Sequence, residues 1–439
     1  MSKVNDRIGK EKASISLFSG AMGLDLGLEQ AGLRAVACVE IDKDAVATIK
    51  QNRPNIPVLD KSVQEVTAEE LRQISSLGTS NLDLLAGGPP CQSFSVFGRR
   101  KGIQDLRGQM IFEFVRLVDE LRPHVFLMEN VRGLLSSPVV AKKDFDPRTM
   151  DLWVKEKGSL LKLLLEKFND IGYRVDCFVV NAVNYGAPQI RERILLIGNR
   201  HGLFEPFPEP MYSNRPQDKL PPFKTLREVI GDGFIDPCSE VMNFSKRKLK
   251  YLAMVPPGGN WRSLPEDIQQ ESMGKSWYLK GGRSAYWRKL SFDFPSPTVV
   301  TMPNHAGTSM CHPSELRAIS VREAAAIQEF PSDWLFAGNT SSKFRQIGNA
   351  VPVRLGRVAG EVIVRLLDRI HSEEASNKSL PQNQVIHIRP HVRTRTFYKN
   401  GTAYAGNHCY YSEAESANSD IQLKLFEQSE TNYCAPISR

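Results

Sequence analysis

The chain has 439 residues, 24% of them charged and 41% hydrophobic, the balance of a globular protein with length for two domains. No apolar run approaches the roughly 18 residues of a spanning helix, and the opening MSKVNDRIGKEKAS is too polar for a secretory leader, so a cytoplasmic protein is expected. Seven scattered cysteines with no C-x-x-C pair argue against a disulfide framework and a cysteine zinc site, while a net charge of +8 suits a polyanionic partner without requiring one.

In chain order, Ala13–Phe18 (ASISLF) predicts a first strand, followed by a glycine turn and a helix over LDLGLEQAG. Arg34–Glu40 (RAVACVE) predicts a second strand ending on an acid, and IPVL puts Asp60 at the tip of another. DLLAG and His124–Asn130 predict two more strands. Between them GQMIFEFVRLVDELRP carries apolar residues at helical spacing and stops at a proline. Gly158–Gly172 predicts an amphipathic helix, and RVDCFVVNA and RERILLIGN, joined by VNYGAPQI, predict an antiparallel pair closing the sheet. The alternation is that of an α/β fold with a mostly parallel sheet. From His201 to Glu315 periodicity fades into segments rich in Pro, Gly, Trp, Tyr, Arg and Lys, read as a second, loop-rich domain. SVREAAAIQEFP returns to helix, and VPVRLGRVAGEVIVRLLDRI sets Val353, Val358, Val362, Leu366 and Ile370 on one face. Beyond His371 the chain is polar and weakly patterned. The expected division is 1–200 with 316–370, then 201–315, then a 371–439 extension.

Several strand ends carry chemistry. In LFSGAMGLDLG (Leu17–Gly27), Gly20 and Gly23 allow a ligand close to the backbone at a helix N-terminus, or form a turn with no ligand. Glu40 and Asp60 follow at strand tips, in the order that suits a nucleoside cofactor, and no Walker lysine pattern points to ATP. In LDLLAGGPPCQSFSVFG (Leu82–Gly98), Cys91 stands past a strand on a stiff Gly-Gly-Pro-Pro turn, either as a nucleophile or as a small buried hydrophobe. Arg99, Arg100, Lys101 and Arg107 supply positive potential or form a solvated loop. Glu129 closes the HVFLM strand, where a carboxyl group in an enclosed site can share a proton, and QIRER sets Arg191 and Arg193 two apart.

Read together and in order, these motifs resemble those of DNA cytosine-5 methyltransferases, from Ile15 to Leu367. The family's glycine motif is FSGAMG here, its catalytic motif GGPPCQSFS, its glutamate motif ENV (Glu129–Val131), its arginine motif QIRERI and its late motif QIGNAVPV (Gln346–Val353). The resemblance implies a Rossmann-like methyltransferase sheet with a smaller target-recognition domain over 201–315, ending near SPTVVTMPNHAGT (Ser296–Thr308). It implies S-adenosylmethionine as methyl donor, held by Phe18, Gly20, Gly23, Glu40, Ile41, Asp60 and Pro90, with Asn349, Ala350 and Val351 from a late motif packed against the first glycine turn. No metal is implied.

Cys91 is then the nucleophile that attacks C6 of a flipped-out cytosine in double-stranded DNA, Glu129 engages N3 and the exocyclic amine, Arg193 contacts O2, and Arg191 orients Glu129 or Cys91. SVFGRRKGIQDLRGQ is similar to the family's mobile catalytic loop, and Arg262, Arg283 and Arg288 are arginines that touch bases, phosphate or solvent. The implied setting is a monomer working beside a restriction endonuclease. Met22 departs from the glycine of many members, with cofactor binding expected to survive. In the tail, His387, His391, His408 and Cys409 leave a metal site open against a basic extension, and a faint similarity to the C-terminal end of mismatch-repair-type nucleases leaves a DNA contact open. A tRNA methyltransferase of the same fold and a DNA-binding regulator with a decayed site are the alternatives; the missing G-x-G-x-x-G disfavours a nicotinamide dehydrogenase.

Overall fold

A computed structural model gives the fold for residues 12–90, 110–139, 150–236, 239–278, 285–372 and the strand Ile386–Ile388. Five parallel strands form one half of the sheet: β1 (Lys12–Leu17), β2 (Leu33–Glu40), β3 (Val58–Asp60), β4 (Leu84–Gly87) and β5 (Val125–Val131). They are linked by α1 (Gly23–Gln30), α2 (Lys43–Asn52), α3 (Ala68–Ile74) and α4 (Met110–Leu121), and α5 (Ser159–Asp170) leads to β6 (Arg174–Asn181). After the two-residue β7 (Gln189–Ile190) comes β8 (Glu192–Asn199), antiparallel to both β5 and β6. The order across the sheet is β6-β8-β5-β4-β1-β2-β3, with one further strand outside β6. The antiparallel pair does not close the sheet as expected. The edge beyond β6 is taken by β10 (Ile386–Ile388), a parallel strand from the weakly patterned extension.

Alternating strand residues fall into two apolar layers, which is why the strands read as continuous apolar runs. On one face Ile15, Leu17, Leu85, Phe126 and Met128 pack against Phe114, Leu117 and Val118 of α4 and Leu160, Leu164 and Phe168 of α5. On the other, Leu84, Ala86, Val125, Leu127, Leu195 and Ile197 meet Leu24 and Leu28 of α1 and a late helix. The segment between the layers' last strand and that helix contains α6 (Arg227–Ile230), α7 (Lys246–Met254), α8 (Glu266–Met273) and the short β9 (Ser296–Pro297), which pairs with β7. Phe244, Tyr251, Leu252, Trp261, Leu264, Met273 and Trp287 form an apolar cluster of their own there.

The chain then returns through α9 (Val321–Ile327), α10 (Thr340–Asn349) and α11 (Val353–His371). A capping box between Ser320 and Glu323 starts α9, satisfying donors that the helix end leaves open. All five residues assigned to one face of the last helix are buried. α11 lies against α1 at backbone contact: a Cβ on Gly27 would fall 2.3 Å from Val353 O, one on Gly356 2.6 Å from Leu24 O. The first and last helices of the sheet unit are thus locked together through positions where no side chain fits.

Candidate active site

The chain runs outward from β1 to β2 and β3 on one side and to β4 and β5 on the other, so a crevice opens at the carboxyl ends of β1 and β4. Past β1 the backbone is left-handed at Phe18, Gly20 and Met22, with φ of 55°, 52° and 66°. That conformation costs a residue with a Cβ about 1–2 kcal/mol. At Met22 the cost is offset by packing, because its side chain is fully buried in the cluster that includes Ala21, Leu26, Cys38 and Ile49. Glu40 holds the turn to the next strand: its Oε2 accepts from Gly20 N–H at 2.7 Å, and its Oε1 accepts from Ile41 N–H at 2.9 Å and Asp42 N–H at 2.8 Å. Asp60 stands beside Glu40 in register across β2 and β3.

The expected methyl donor fits this end of the sheet. No described residue lies within 4 Å of a Cβ built on Gly20, Ile41 is 65% exposed beside it, and two carboxylates flank the opening. These supply open space, an apolar surface and hydrogen-bond acceptors, the set a nucleoside requires. Gly23 is pressed from behind by the late motif: a Cβ there would meet Val351 O at 2.6 Å and Ala350 Cβ at 2.9 Å. Asp25, fully buried near Ser16 in the first turn of α1, is raised by burial to about 7.

At the neighbouring strand end, β4 runs into Gly88-Pro89-Pro90. Gly88 has no room for a side chain that would not crowd Glu129, whose Oε2 would be 3.0 Å from its Cβ. Glu129 is buried and forms an ion pair with Arg193, Nε to Oε1 at 2.6 Å. β5 continues two residues past Glu129, rather than ending there, because β8 pairs alongside it as far as Val131 opposite Arg193. Burial lowers the Arg193 guanidinium from its usual range, and Glu129 acts in the opposite direction; a guanidinium stays charged near neutrality regardless. Asn130, which sequence reasoning missed, donates from Nδ2 to Pro89 O at 3.1 Å and accepts at Oδ1 from Val131 N–H at 2.9 Å. One side chain thereby ties the glutamate strand to the proline turn. Cys91 is the next residue after the exposed Pro90 and lies outside the described residues, as do Arg99, Arg100, Lys101 and Arg107.

Arg191 is tied to backbone carbonyls, and the Cys91 it was expected to help orient lies outside the described residues. Arg191 is 1% exposed and its Nη1 donates to Val299 O at 3.2 Å, its Nη2 to Gly348 O at 2.9 Å and Asn349 O at 3.5 Å. Its hydrogen bonds therefore join the arginine motif to the late motif and to the segment that follows β9, and the arginine paired with Glu129 is Arg193. The reason is local: Arg191 sits in the break between β7 and β8, whereas Arg193 is a strand residue opposite the glutamate strand. Gln189 and Gln328 reinforce the same junction. Gln189 Nε2 donates to Gln328 Oε1 at 2.9 Å, its Oε1 accepts from Val299 N–H at 2.9 Å, and Gln328 Nε2 donates to Ile347 O at 2.6 Å and Ala350 O at 3.1 Å.

Among the other expected contacts, Arg288 is buried with its Nε donating to Ser309 O at 3.1 Å, which places it in the protein's own framework and not on a solvent or phosphate surface. Arg262 lies over the Trp261 ring, 4.5 Å from its centroid. Arg283, His391, His408 and Cys409 are outside the described residues, and of His387 only the backbone, in β10, is described. No described helix is long and apolar enough to cross a membrane.

The model of C-5 cytosine-specific DNA methylases matches residues 13–365. The chain is 40% identical over 364 residues to the type II methyltransferase M.Eco47II of Escherichia coli, covering 81% of this chain and 80% of that one. It is 37% identical over 367 residues to M.Sau96I of Staphylococcus aureus, covering 84% and 79%. Among solved structures it resembles a DNA modification methyltransferase encoded within a prophage of E. coli, with a TM-score of 0.56, 25% identity, and coverage of 81% of this chain and 99% of that one. The match includes the glycine turn, the Gly-Gly-Pro-Pro-Cys stretch, the Glu129–Arg193 pair and the late motif behind Gly23: the chain belongs to the C-5 cytosine-specific DNA methylases and is a DNA (cytosine-5-)-methyltransferase.

Proposed function

We propose that this enzyme methylates C5 of a cytosine flipped out of a specific double-stranded DNA sequence, through a covalent bond between Cys91 and C6. Cytosine C5 is a poor nucleophile; a thiolate added at C6 turns C5 into an enamine carbon. When bound, S-adenosylmethionine would be held by Phe18, Gly20, Gly23, Glu40, Ile41, Asp60 and Pro90 and would supply an electrophilic methyl group to C5, its S–CH3 bond breaking to leave the thioether S-adenosylhomocysteine. Glu129, held by Arg193, engages N3 and the exocyclic amine and balances charge as the Cys91 sulfur bonds to C6. A base, such as water, then takes the C5 proton, and the Cys91–C6 bond breaks to restore the ring. Arg191, with Asn349, Ala350 and Val351, fixes the wall behind the cofactor turn.

The observation that carries this reading is the buried Glu129–Arg193 ion pair against the turn that delivers Cys91, one strand from the Gly20–Glu40 turn. Residues 201–315 are assigned to DNA recognition, and extrusion of the base requires contacts worth a few kcal/mol. As the methylase of a restriction–modification system, a monomer in the cytoplasm, the enzyme would protect sites that a partner endonuclease cuts. The test is methyl transfer from labelled S-adenosylmethionine to mixed-sequence duplex DNA, followed by bisulfite sequencing. A single methylated sequence context is expected, with transfer abolished in Cys91→Ser. Methylation of tRNA alone, or full turnover by Cys91→Ser, would overturn the proposal.

A further inference from the structure

The opposite edge of the same sheet gathers residues that the methyl-transfer chemistry does not use. Asp83 immediately precedes β4, His124 immediately precedes β5, His201 follows β8, and His371 ends α11. One ligand atom each from Asp83, His124 and His371 all lie within 4.8 Å of one another. His371 Nε2 is 3.3 Å from Asp83 Oδ1, and His124 Nδ1 is 2.9 Å from His201 Nε2. Two ligand atoms bound tetrahedrally to one zinc ion at about 2.0–2.1 Å would be separated by roughly 3.3 Å, so the group needs only side-chain adjustment to close on an ion. Two imidazoles and a carboxylate, with a third imidazole behind one of them, are also a donor set that zinc, cobalt and nickel favour over magnesium or calcium.

We propose that Asp83, His124 and His371 bind a divalent transition-metal ion, with zinc as the reference ion and His201 as an outer partner. An outer partner on the second ring nitrogen of a ligand histidine fixes its tautomer and orientation. His201 stands in that relation to His124. Asp83 is held in place from the other side, since its Oδ2 accepts from Ala13 N–H at 2.9 Å. Arg200, with Nη2 3.5 Å from His124 Nδ1, is the cation that opposes the ion, and it sets a limit on affinity. The site joins the end of α11 to two strand beginnings, about 20 Å along β5 from the catalytic edge. Its role is therefore structural, a clasp on the helix that backs the cofactor turn.

The test uses the full chain, stripped with a chelator and titrated with Zn²⁺ by calorimetry, then with Co²⁺ by visible absorption. One ion per chain is expected, with a cobalt spectrum of nitrogen and oxygen ligands and a raised Tm. His371→Ala, half exposed at a helix end and so mild for folding, should lose that ion and the Tm rise while retaining methyl transfer. His201→Gln should weaken binding by about 10–100-fold, and Arg200→Gln should tighten it. Cys91→Ser and His387→Ala with His391→Ala should bind as the parent does. Equal binding by the parent and His371→Ala, binding lost only in Cys91→Ser or the tail variant, or no binding at micromolar zinc would each overturn the site.

Discussion

At the carboxyl edge, just behind the glycine turn, burial raises Asp25 to about 7; at the amino edge it lowers His124 to about 4. The same cause, removal of a charge from water, gives the two ends of one sheet opposite responses to protons. Asp25 resists losing its proton, so its site is most stable in acid; His124 resists gaining one, so its site is most stable in base. The ends also differ in how polar groups are satisfied. Around Glu129, Arg193, Asn130 and Arg191 the partners are carboxylate and backbone carbonyls, each drawn from a different motif. Around His124 the partners are other titratable side chains, which leaves that end open to pH and to ions.

The strongest way to break this contrast is Arg193→Met. Removing one member of a buried ion pair leaves an uncompensated charge, worth about 3–5 kcal/mol of stability, and methyl transfer should fall by at least about 100-fold. Urea denaturation and single-turnover rates measure the two losses. A mild effect on both would show that Arg193 does not hold Glu129. Next is Asp25→Asn. Because the folded pKa of Asp25 is above its unfolded value of 3.8, the native state loses stability as pH rises from there to about 7, by up to about 4 kcal/mol. The variant should match the parent at pH 3.5, gain on it through that range and keep a level advantage above it; a constant difference across the series would refute the assignment.

Gly23→Ala is expected to cost about 1–3 kcal/mol by overpacking, and to weaken S-adenosylmethionine binding, because the new Cβ must displace the backbone at Val351. Equilibrium dialysis with the labelled donor reads the affinity. The smallest effect is expected at the other edge. The stability supplied by neutral His124 is complete above its unfolded value of 6.5 and declines as pH falls towards about 4, so His124→Gln in metal-free buffer should flatten the acid side of the Tm–pH curve. Solvent screening of this half-buried group keeps that change below the one at Asp25.

The same two edges differ in how far they can be read from sequence. Strands β1, β2, β4 and β5 are legible because both faces are buried, and the motifs at their carboxyl ends follow directly on those runs. The amino-edge cluster is assembled from positions 83, 124, 201 and 371, and no local spacing announces it. Partner choice was likewise hidden inside a legible motif: QIRER offers two arginines, but only the break between β7 and β8 decides that Arg193 meets the glutamate and Arg191 meets carbonyls. Arg288 shows the converse, a basic residue in a basic, irregular segment whose guanidinium is directed inward. Asn130 gave no signal beyond its place in ENV, since its value lies in reaching Pro89 on another strand.

The contact between α1 and α11 has a consequence for the order in which the protein is made. Gly23, Gly27 and the residues after them have their backbone partners in Val351, Val353, Gly356 and Gly360. At a synthesis rate of about 5–20 residues per second, the glycine turn leaves the ribosome on the order of tens of seconds before anything can support it from behind. The cofactor turn is therefore finished by the last of the described helices, and a chain interrupted between β8 and α10 carries Cys91, Glu129 and Arg193 but lacks the wall that holds the glycine turn in shape.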